Sequence, residues 1–344
     1  MQSKKTRRLV WLALPLSLAI FAAACGDDDN TSSGDGTSGG NAAEDISGSI
    51  NITGSSTVEP ISSLVGEDFS TEYPNVNVAV EGPGTGDGFA TFCKGDNDIT
   101  DASRTIKDEE KAICEQNGVE YIELQIGYDG LTVMTNANNS DAPECLSFAD
   151  LYALIGPESN GFAKWSDAQA LATQLGSSTQ FPDAELALTG PGTESGTYDS
   201  FIEIALKDIA TERDQADDAT RPDYDASSDD NVIVENIEAS DSSLGWVGFA
   251  FAQEAGDEIK EIPISKEPGG DCVAPDADTI QSGDYPLSRS LYIYVNKAKA
   301  EENAAVPAFV DYYLADLKSF VEESDYVALP DADIDATKAT WEGR

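Results

Sequence analysis

A unit of strand, polar turn and helix occurs three times early in the chain, and it restricts the possible folds more than any other feature. In the first unit, a short alternating strand at residues 47–52 is followed by Gly54-Ser55-Ser56-Thr57 and then by apolar residues at helical spacing. The second unit breaks at residues 82–88 and the third at residues 98–104. Strands that alternate with helices predict an α/β fold whose parallel sheets are covered on both faces.

Later segments extend this pattern. A fourth polar turn, TGPGTESGTYDSF at residues 189–201, follows a brief strand and leads into an apolar, helix-compatible run. Two further strands are predicted at residues 119–126 and 131–135, the second lying where the chain could cross into another domain. A strong strand at residues 285–295 would return the chain to the first domain. The acidic run at residues 214–230 is typical of a solvated excursion, with partner binding as the alternative.

The first residues have the pattern of an export signal. Positive residues precede an apolar run, and Ala22-Ala23-Ala24 is followed at once by Cys25. This predicts a lipoprotein signal peptide over residues 1–24, cleaved before Cys25, which is then acylated. Ordinary cleavage that leaves Cys25 as a free thiol is the alternative. Residues 25–45 lack core-forming side chains and predict a disordered tether.

Charge excludes one class of function. The chain has a formal net charge of −44 and no histidine, and the predicted signal peptide removes positive charge only. Such a chain cannot replace the counterions of a phosphate backbone, so nucleic-acid binding is excluded. The acidity favours solubility in a saline or alkaline medium, with cation recognition as the alternative. The commonest general base and soft-metal ligand are also missing.

Four cysteines follow Cys25, an even number that suggests two disulfides in an exported chain. We expect Cys93 to pair with Cys114, closing a short loop, and Cys145 to pair with Cys272, closing a long one. A zinc site is the alternative, but no CxxC spacing supports it.

The polar turns have the composition of an anion site. In a parallel α/β sheet such turns lie at the carboxyl edge of the strands, where free N–H groups of the helix start and the helix dipole favour an anion. Ser195, Gly196 and Thr197 have this position in the fourth turn. The corresponding hydroxyl residues are Ser56 and Thr57 in the first turn and Thr85 in the second. Plain helix capping is the alternative for each turn.

The third turn adds a basic residue. Arg104 stands beside Ser103 at the end of a predicted strand, where a guanidinium would suit bidentate capture of a tetrahedral oxyanion. A surface ion pair with one of the many carboxylates is the alternative.

Catalysis is not predicted. Ser195 is outside a GxSxG motif, and no histidine exists to activate it. Residues 84–88 lack the GKS/T ending of a Walker loop. We therefore expect a binding protein and not an enzyme, with no catalytic residues, no cofactor and no metal.

Five segments taken together resemble the phosphate-binding protein of the high-affinity phosphate ABC importer. They are GSSTVEPIS (54–62), GPGTGDGFATFCKGDNDITDASRTI (82–106), GPGTESGTYDSF (190–201), LGWVGFAF (244–251) and YPLSRSLYIYVN (285–296). The resemblance implies a type II periplasmic-binding-protein fold, with two α/β domains, a ligand cleft between them and two hinge crossovers. Domain I would comprise residues 46–133 and 285–344, and domain II residues 134–284.

The resemblance also implies the ligand set. The residues that match the family's phosphate-binding positions are Ser56, Thr57, Thr85, Ser103, Ser195, Gly196 and Thr197. Some members have an aspartate at Ser103 and an arginine at Pro191, so Arg104 is expected to supply the missing positive charge. The carboxylate that accepts the phosphate proton must then lie elsewhere, with Asp87, Asp101 and Glu194 as candidates.

By the same resemblance, the chain would be an extracytoplasmic lipoprotein, anchored by its lipid to the outer face of the cytoplasmic membrane. It would capture inorganic phosphate as a monomer and deliver it to the membrane permease subunits of the importer. The alternatives are a protein of the same fold for sulfate, molybdate or phosphonate, and a cell-surface module without a transport role.

Overall fold

The structure is a computed structural model that describes residues 46–193 and 195–344. The predicted signal peptide, the predicted tether, the predicted lipidation site Cys25 and the candidate Glu194 lie outside the described residues. Within the described part, the strands are β1 (Gly48–Gly54), β2 (Val76–Glu81), β3 (Ile99–Ala102), β4 (Tyr121–Asn136), β5 (Leu146–Ser147), β6 (Ala187–Pro191), β7 (Asp225–Ser227), β8 (Ser243–Gly248), β9 (Ile259–Glu261), β10 (Ile264–Ser265), β11 (Ser288–Asn296) and β12 (Val327–Ala328).

Helices separate most of these strands. They are α1 (Glu59–Glu72), α2 (Thr85–Phe92), α3 (Asp108–Asn117), α4 (Phe148–Ile155), α5 (Gln169–Gln174), α6 (Gly196–Phe201), α7 (Lys207–Glu212), α8 (Asp230–Glu238), α9 (Phe249–Ala255), α10 (Ala277–Ser282), α11 (Lys297–Glu302), α12 (Ala305–Ala315), α13 (Leu317–Glu323) and α14 (Asp331–Glu342). A π-helical segment, Ile202–Leu206, joins α6 to α7, so the chain is helical without interruption from Gly196 to Glu212.

One mixed sheet runs through the described residues in the order β2-β1-β3-β11-β4-β8-β6-β7. The long strand β4 connects the two halves of this sheet. Its first half pairs with β11 and β12, and its second half pairs with β8 and β9. We call the strands on the β1 side of β4, with their helices, the first lobe. Those on the β8 side, with theirs, are the second lobe.

The prediction of parallel sheets is correct only within each lobe. Strand β1 is parallel to β2 and β3, and β6 is parallel to β7 and β8. The prediction is wrong for β4 and β11, which are antiparallel to each other and to their other neighbours. These two strands carry the chain between the lobes in opposite directions, so they cannot both run parallel to the rest.

Other segments differ from the sequence expectations in their extent. The two strands predicted at 119–126 and 131–135 are one continuous strand, β4, since the intervening residues keep their pairing with β11. The helical segment before the last strand is divided into α12 and α13 at Asp316. The acidic excursion contains β7 and a nearly buried Arg221, so part of it belongs to the fold.

Apolar faces at helical spacing pack the lobes. In the first lobe, α1 buries Ile61, Val65 and Phe69 completely, and the Phe69 ring meets Phe309 edge to face at 5.4 Å between centroids. In the second lobe, the buried Trp246 stacks on Phe201 at 4.7 Å. This packing holds the end of α6 against β8.

Both expected disulfides are formed. Cys93 is bonded to Cys114 within the first lobe, and Cys145 is bonded to Cys272 in the second. In the residues that the structure describes, no helix is long and apolar enough to cross a membrane. The same part of the chain contains no cluster of three acidic or cysteine side chains that could hold a metal ion.

Candidate functional site

The first three polar turns meet at the carboxyl end of β1. Ser55 donates its N–H to the carbonyl of Asp101 at 2.9 Å, and Gly84 donates to the carbonyl of Gly54 at 2.7 Å. Gly54 has a φ of +153°, and a Cβ there would lie 2.1 Å from the Asp101 carbonyl oxygen. Only glycine permits this approach, which ties the turn after β1 to the end of β3.

The second and third turns share a hydrogen-bonded pair of hydroxyls. Thr85, the first residue of α2, lies with its Oγ1 3.1 Å from Ser103 Oγ, and the Ser103 N–H donates to the same Oγ1 at 3.2 Å. Both side chains are almost fully buried, at 5% and 2% exposure. The predicted residues Thr85 and Ser103 therefore form one polar group beside the β1 turn.

The fourth turn packs directly on the first. Ser195 caps α6 by accepting the N–H of Thr197 at 3.2 Å. A Cβ on Gly196 would lie 3.0 Å from the carbonyl oxygen of Ser56 and 3.2 Å from Thr57 Cα. The helix start of the second lobe thus touches the first turn of the first lobe, as a closed cleft requires.

Side chains join the two lobes at this contact. Ser56 Oγ donates to the Asp199 carboxylate at 2.7 Å, and Thr57 Oγ1 lies 3.1 Å from Ser200 Oγ. Asp199 and Ser200 belong to the first turns of α6. Neither residue was predicted from the sequence to belong to the site, although TYDSF, directly after the Ser-Gly-Thr segment, placed both on that helix.

Arg104 has a different environment from the one expected of an anion ligand. Its two terminal nitrogens donate to the two carboxylate oxygens of Glu110, both at 2.8 Å, and its guanidinium lies 5.5 Å from the centroid of the Phe89 ring. Burial raises the pKa of Glu110, but the hydrogen bonds from Arg104 and Lys107 outweigh it and leave that pKa below its usual value. In this structure, Arg104 therefore forms the ion pair that was given as the alternative to anion binding.

A second arginine, which was not among the predicted site residues, lies among the hydroxyls. Arg289 on β11 donates from Nη2 to Thr57 Oγ1 and to Ser200 Oγ, both at 2.6 Å. In the strand register it stands opposite Asp129 of β4, whose Oδ2 is 3.4 Å from Arg289 Nε. The sequence contained one signal for this pair, because each of the two strands that link the lobes carries a charged residue.

The three candidate proton acceptors have separate positions. Asp101 is fully buried and accepts from Ser62 Oγ at 2.9 Å, within the core between β3 and α1. Burial, opposed by the Ser62 hydrogen bond and reinforced by Glu59, raises the pKa of Asp101 to about 7. Asp87 is exposed in the first turn of α2, and Glu194 lies outside the described residues.

A cavity of about 300 Å³ adjoins the Ser-Gly-Thr segment. Its walls include the carboxylates of Asp129, Asp230 and Asp325 as well as Ser195 and Thr197. Burial, followed by repulsion from Asp325 and Asp229, raises the pKa of Asp230 to about 6. The helix start is therefore open on a side that carries negative charge.

Known proteins share this chain's sequence over most of its length. A model of the PBP superfamily domain matches residues 37–316. The Protein SphX of Synechocystis is 36% identical over 285 residues, which cover 82% of this chain and 79% of the relative. The Phosphate-binding protein PstS of Staphylococcus saprophyticus is 32% identical over 323 residues, covering 92% of this chain and 89% of the relative.

Solved structures share the fold. A chain from Planctomyces limnophilus, described as a possible phosphate binding protein, superposes with a TM-score of 0.78 at 36% identity and covers 87% of this chain and 99% of its own. An ABC-type phosphate transport receptor from Vibrio cholerae superposes with a TM-score of 0.57 at 22% identity. The match covers 82% of this chain and 100% of the receptor. The latter match is evidence of the fold alone.

The fold is thus the type II periplasmic-binding-protein fold, in which two α/β domains enclose a ligand cleft. Within the PBP superfamily, the chain belongs to the family of the phosphate-binding proteins.

Proposed function

We propose that this protein binds inorganic phosphate outside the cytoplasm and delivers it to the membrane subunits of an ABC importer. The observation that carries the proposal is the contact between the Ser-Gly-Thr helix start of the second lobe and the Ser56–Thr57 turn of the first. A small oxyanion held there would receive donors from both lobes. The names of the relatives support phosphate as that oxyanion.

The proposed phosphate ligands are the predicted residues of the four turns. Hydroxyls and helix-start amides would replace the water that phosphate loses, since a dianion without donors is costly to bury. Arg104 stays in the proposal as a source of positive charge at the end of β3, although Glu110 now holds its guanidinium. The proposed set is Ser56, Thr57, Thr85, Ser103, Arg104, Ser195, Gly196 and Thr197.

The mechanism we propose is closure of two domains around the anion. Domain I comprises residues 46–133 and 285–344 and domain II residues 134–284, so that β4 and β11 are the two hinge crossovers. The closed form then docks on the permease. We further propose that the protein acts as a monomer and not as an enzyme, and that a lipid on Cys25 holds it at the outer face of the cytoplasmic membrane.

Calorimetric titration of the purified protein with phosphate, arsenate and sulfate tests this function. We expect strong binding of phosphate, binding of its isostere arsenate, and little or no heat from sulfate. Heat mainly from sulfate would replace the proposal with a transport protein for another oxyanion. No heat from any of these anions would favour a surface module without a transport role.

A further inference from the structure

A single guanidinium connects the two lobes at the base of the cleft. Arg289 Nη2 donates to Thr57 of the first lobe and to Ser200 of the second, and Nη1 donates to Glu203 of the second lobe at 2.5 Å. The Arg289 side chain is only 12% exposed. Thr57 and Ser200 are buried almost completely, at 1% and 0% exposure. This is a desolvated polar network, and its members lie on three separate parts of the chain.

The hydrogen atoms in this network can be assigned. Ser200 Oγ has one proton, and its acceptors are Asp129 Oδ2 at 2.6 Å and the Gly196 carbonyl at 2.8 Å. Ser200 therefore accepts from Arg289 and does not donate to Thr57. Thr57 Oγ1 also accepts from Arg289, so its own hydrogen is directed to Ser200 or to a ligand. Arg289 thus sets Thr57 as a donor.

The network also compensates charge. Asp129 is fully buried, and burial keeps its pKa raised even though Arg289 and Ser200 lower it. Asp199 and Glu203 add two carboxylates within one turn of the same helical run. Without the guanidinium, these acids would face the start of α6 unopposed, where an incoming dianion would meet them.

We propose that Arg289 is a positioning residue that latches the closed state: it holds Thr57 and Ser200 together across the cleft and sets the Thr57 hydroxyl as a donor to the bound anion. When the lobes separate, one guanidinium cannot follow both hydroxyls, so its contacts favour closure. The statement about the anion rests on the proposed function. The statement about closure does not.

A double-mutant cycle tests the latch. Arg289→Gln removes the charge, and Thr57→Val removes the hydroxyl at nearly constant volume. We expect each to weaken phosphate binding by roughly ten- to a hundredfold, because a charge-assisted hydrogen bond is lost. We expect the loss in the double variant to be clearly smaller than the sum of the two single losses, since Arg289 acts in part through Thr57. Losses that add in full would overturn the proposal.

Two further measurements separate a latch from a merely structural role. Arg289→Lys keeps the charge but cannot reach both hydroxyls, so its affinity should lie between the wild type and Arg289→Gln. If Arg289→Gln fails to fold, Arg289→Lys is used in its place. In small-angle scattering without ligand, Arg289→Gln should have a larger radius of gyration than the wild type, and an unchanged radius would contradict the latch.

Arg213→Gln is the matched control. Arg213 pairs with Glu158 inside the second lobe, so its loss should leave phosphate affinity and the radius of gyration unchanged. If the wild type does not bind phosphate, the proposed function fails, while the ligand-free scattering still decides the latch.

Discussion

Replacing Gly196 by valine is expected to weaken phosphate binding by about a hundredfold while leaving the fold almost as stable as before. A Cβ at residue 196 would already lie 3.0 Å from the Ser56 carbonyl oxygen, and the valine methyl groups add further bulk. Overpacking of this kind costs about 1–3 kcal/mol. Since the contact joins opposite lobes, the cost applies to the closed state, and an open form avoids it.

Calorimetry gives the affinity of this variant, and thermal unfolding without phosphate gives its stability. Gly196→Ala should show a smaller loss in the same direction, because only the Cβ is added. Ala170→Val, on the exposed side of α5, is the matched control and should bind like the wild type. Wild-type affinity in Gly196→Val would mean that the two turns do not meet in the bound form.

Replacing Asp101 by asparagine is expected to stabilise the protein at alkaline pH by about 4 kcal/mol. The folded state raises the pKa of this carboxyl from 3.8 to about 7, so it binds a proton more tightly than the unfolded chain does. The wild type therefore loses stability as the pH rises from about 4 to about 7, and no more above that range. Asparagine is neutral throughout and can keep the hydrogen bond from Ser62.

Thermal or chemical unfolding at pH 5 and pH 8 checks the sign of this effect. The gain from Asp101→Asn should be larger at pH 8 than at pH 5 by about 3 kcal/mol. Asp335→Asn, an exposed position on α14, should show almost no gain at either pH. A gain that is equal at both pH values would show that burial does not hold Asp101 protonated.

Local patterns were enough to predict much of the fold. The three predicted units of strand, polar turn and helix are present as β1 with α1, β2 with α2 and β3 with α3. The even number of cysteines led to both disulfide pairs. The first of these features depends on residues that are close in sequence, and the second on a small number of possible cysteine pairings.

The missed features depend on contacts between distant parts of the chain. Arg289 faces Asp129, which is 160 positions away in the sequence, because of the register between β11 and β4. No local pattern determines that register. Arg104 could turn towards the cleft or towards α3, and the bidentate geometry of Glu110, six residues further on, decided the contact. From the sequence we expected the cleft and gave the ion pair as the alternative, because the geometry of the Glu110 contact is not visible in the sequence.

A crystal structure of the protein grown with phosphate tests the central claim most directly. We expect one tetrahedral anion within hydrogen-bonding distance of hydroxyls or amides from both lobes, including the Ser56–Thr57 turn, Thr85 and the Ser195–Thr197 helix start. An anion that contacts one lobe only, or that occupies the acidic cavity beside Asp230 and Asp325 while those turns stay empty, would contradict the claim.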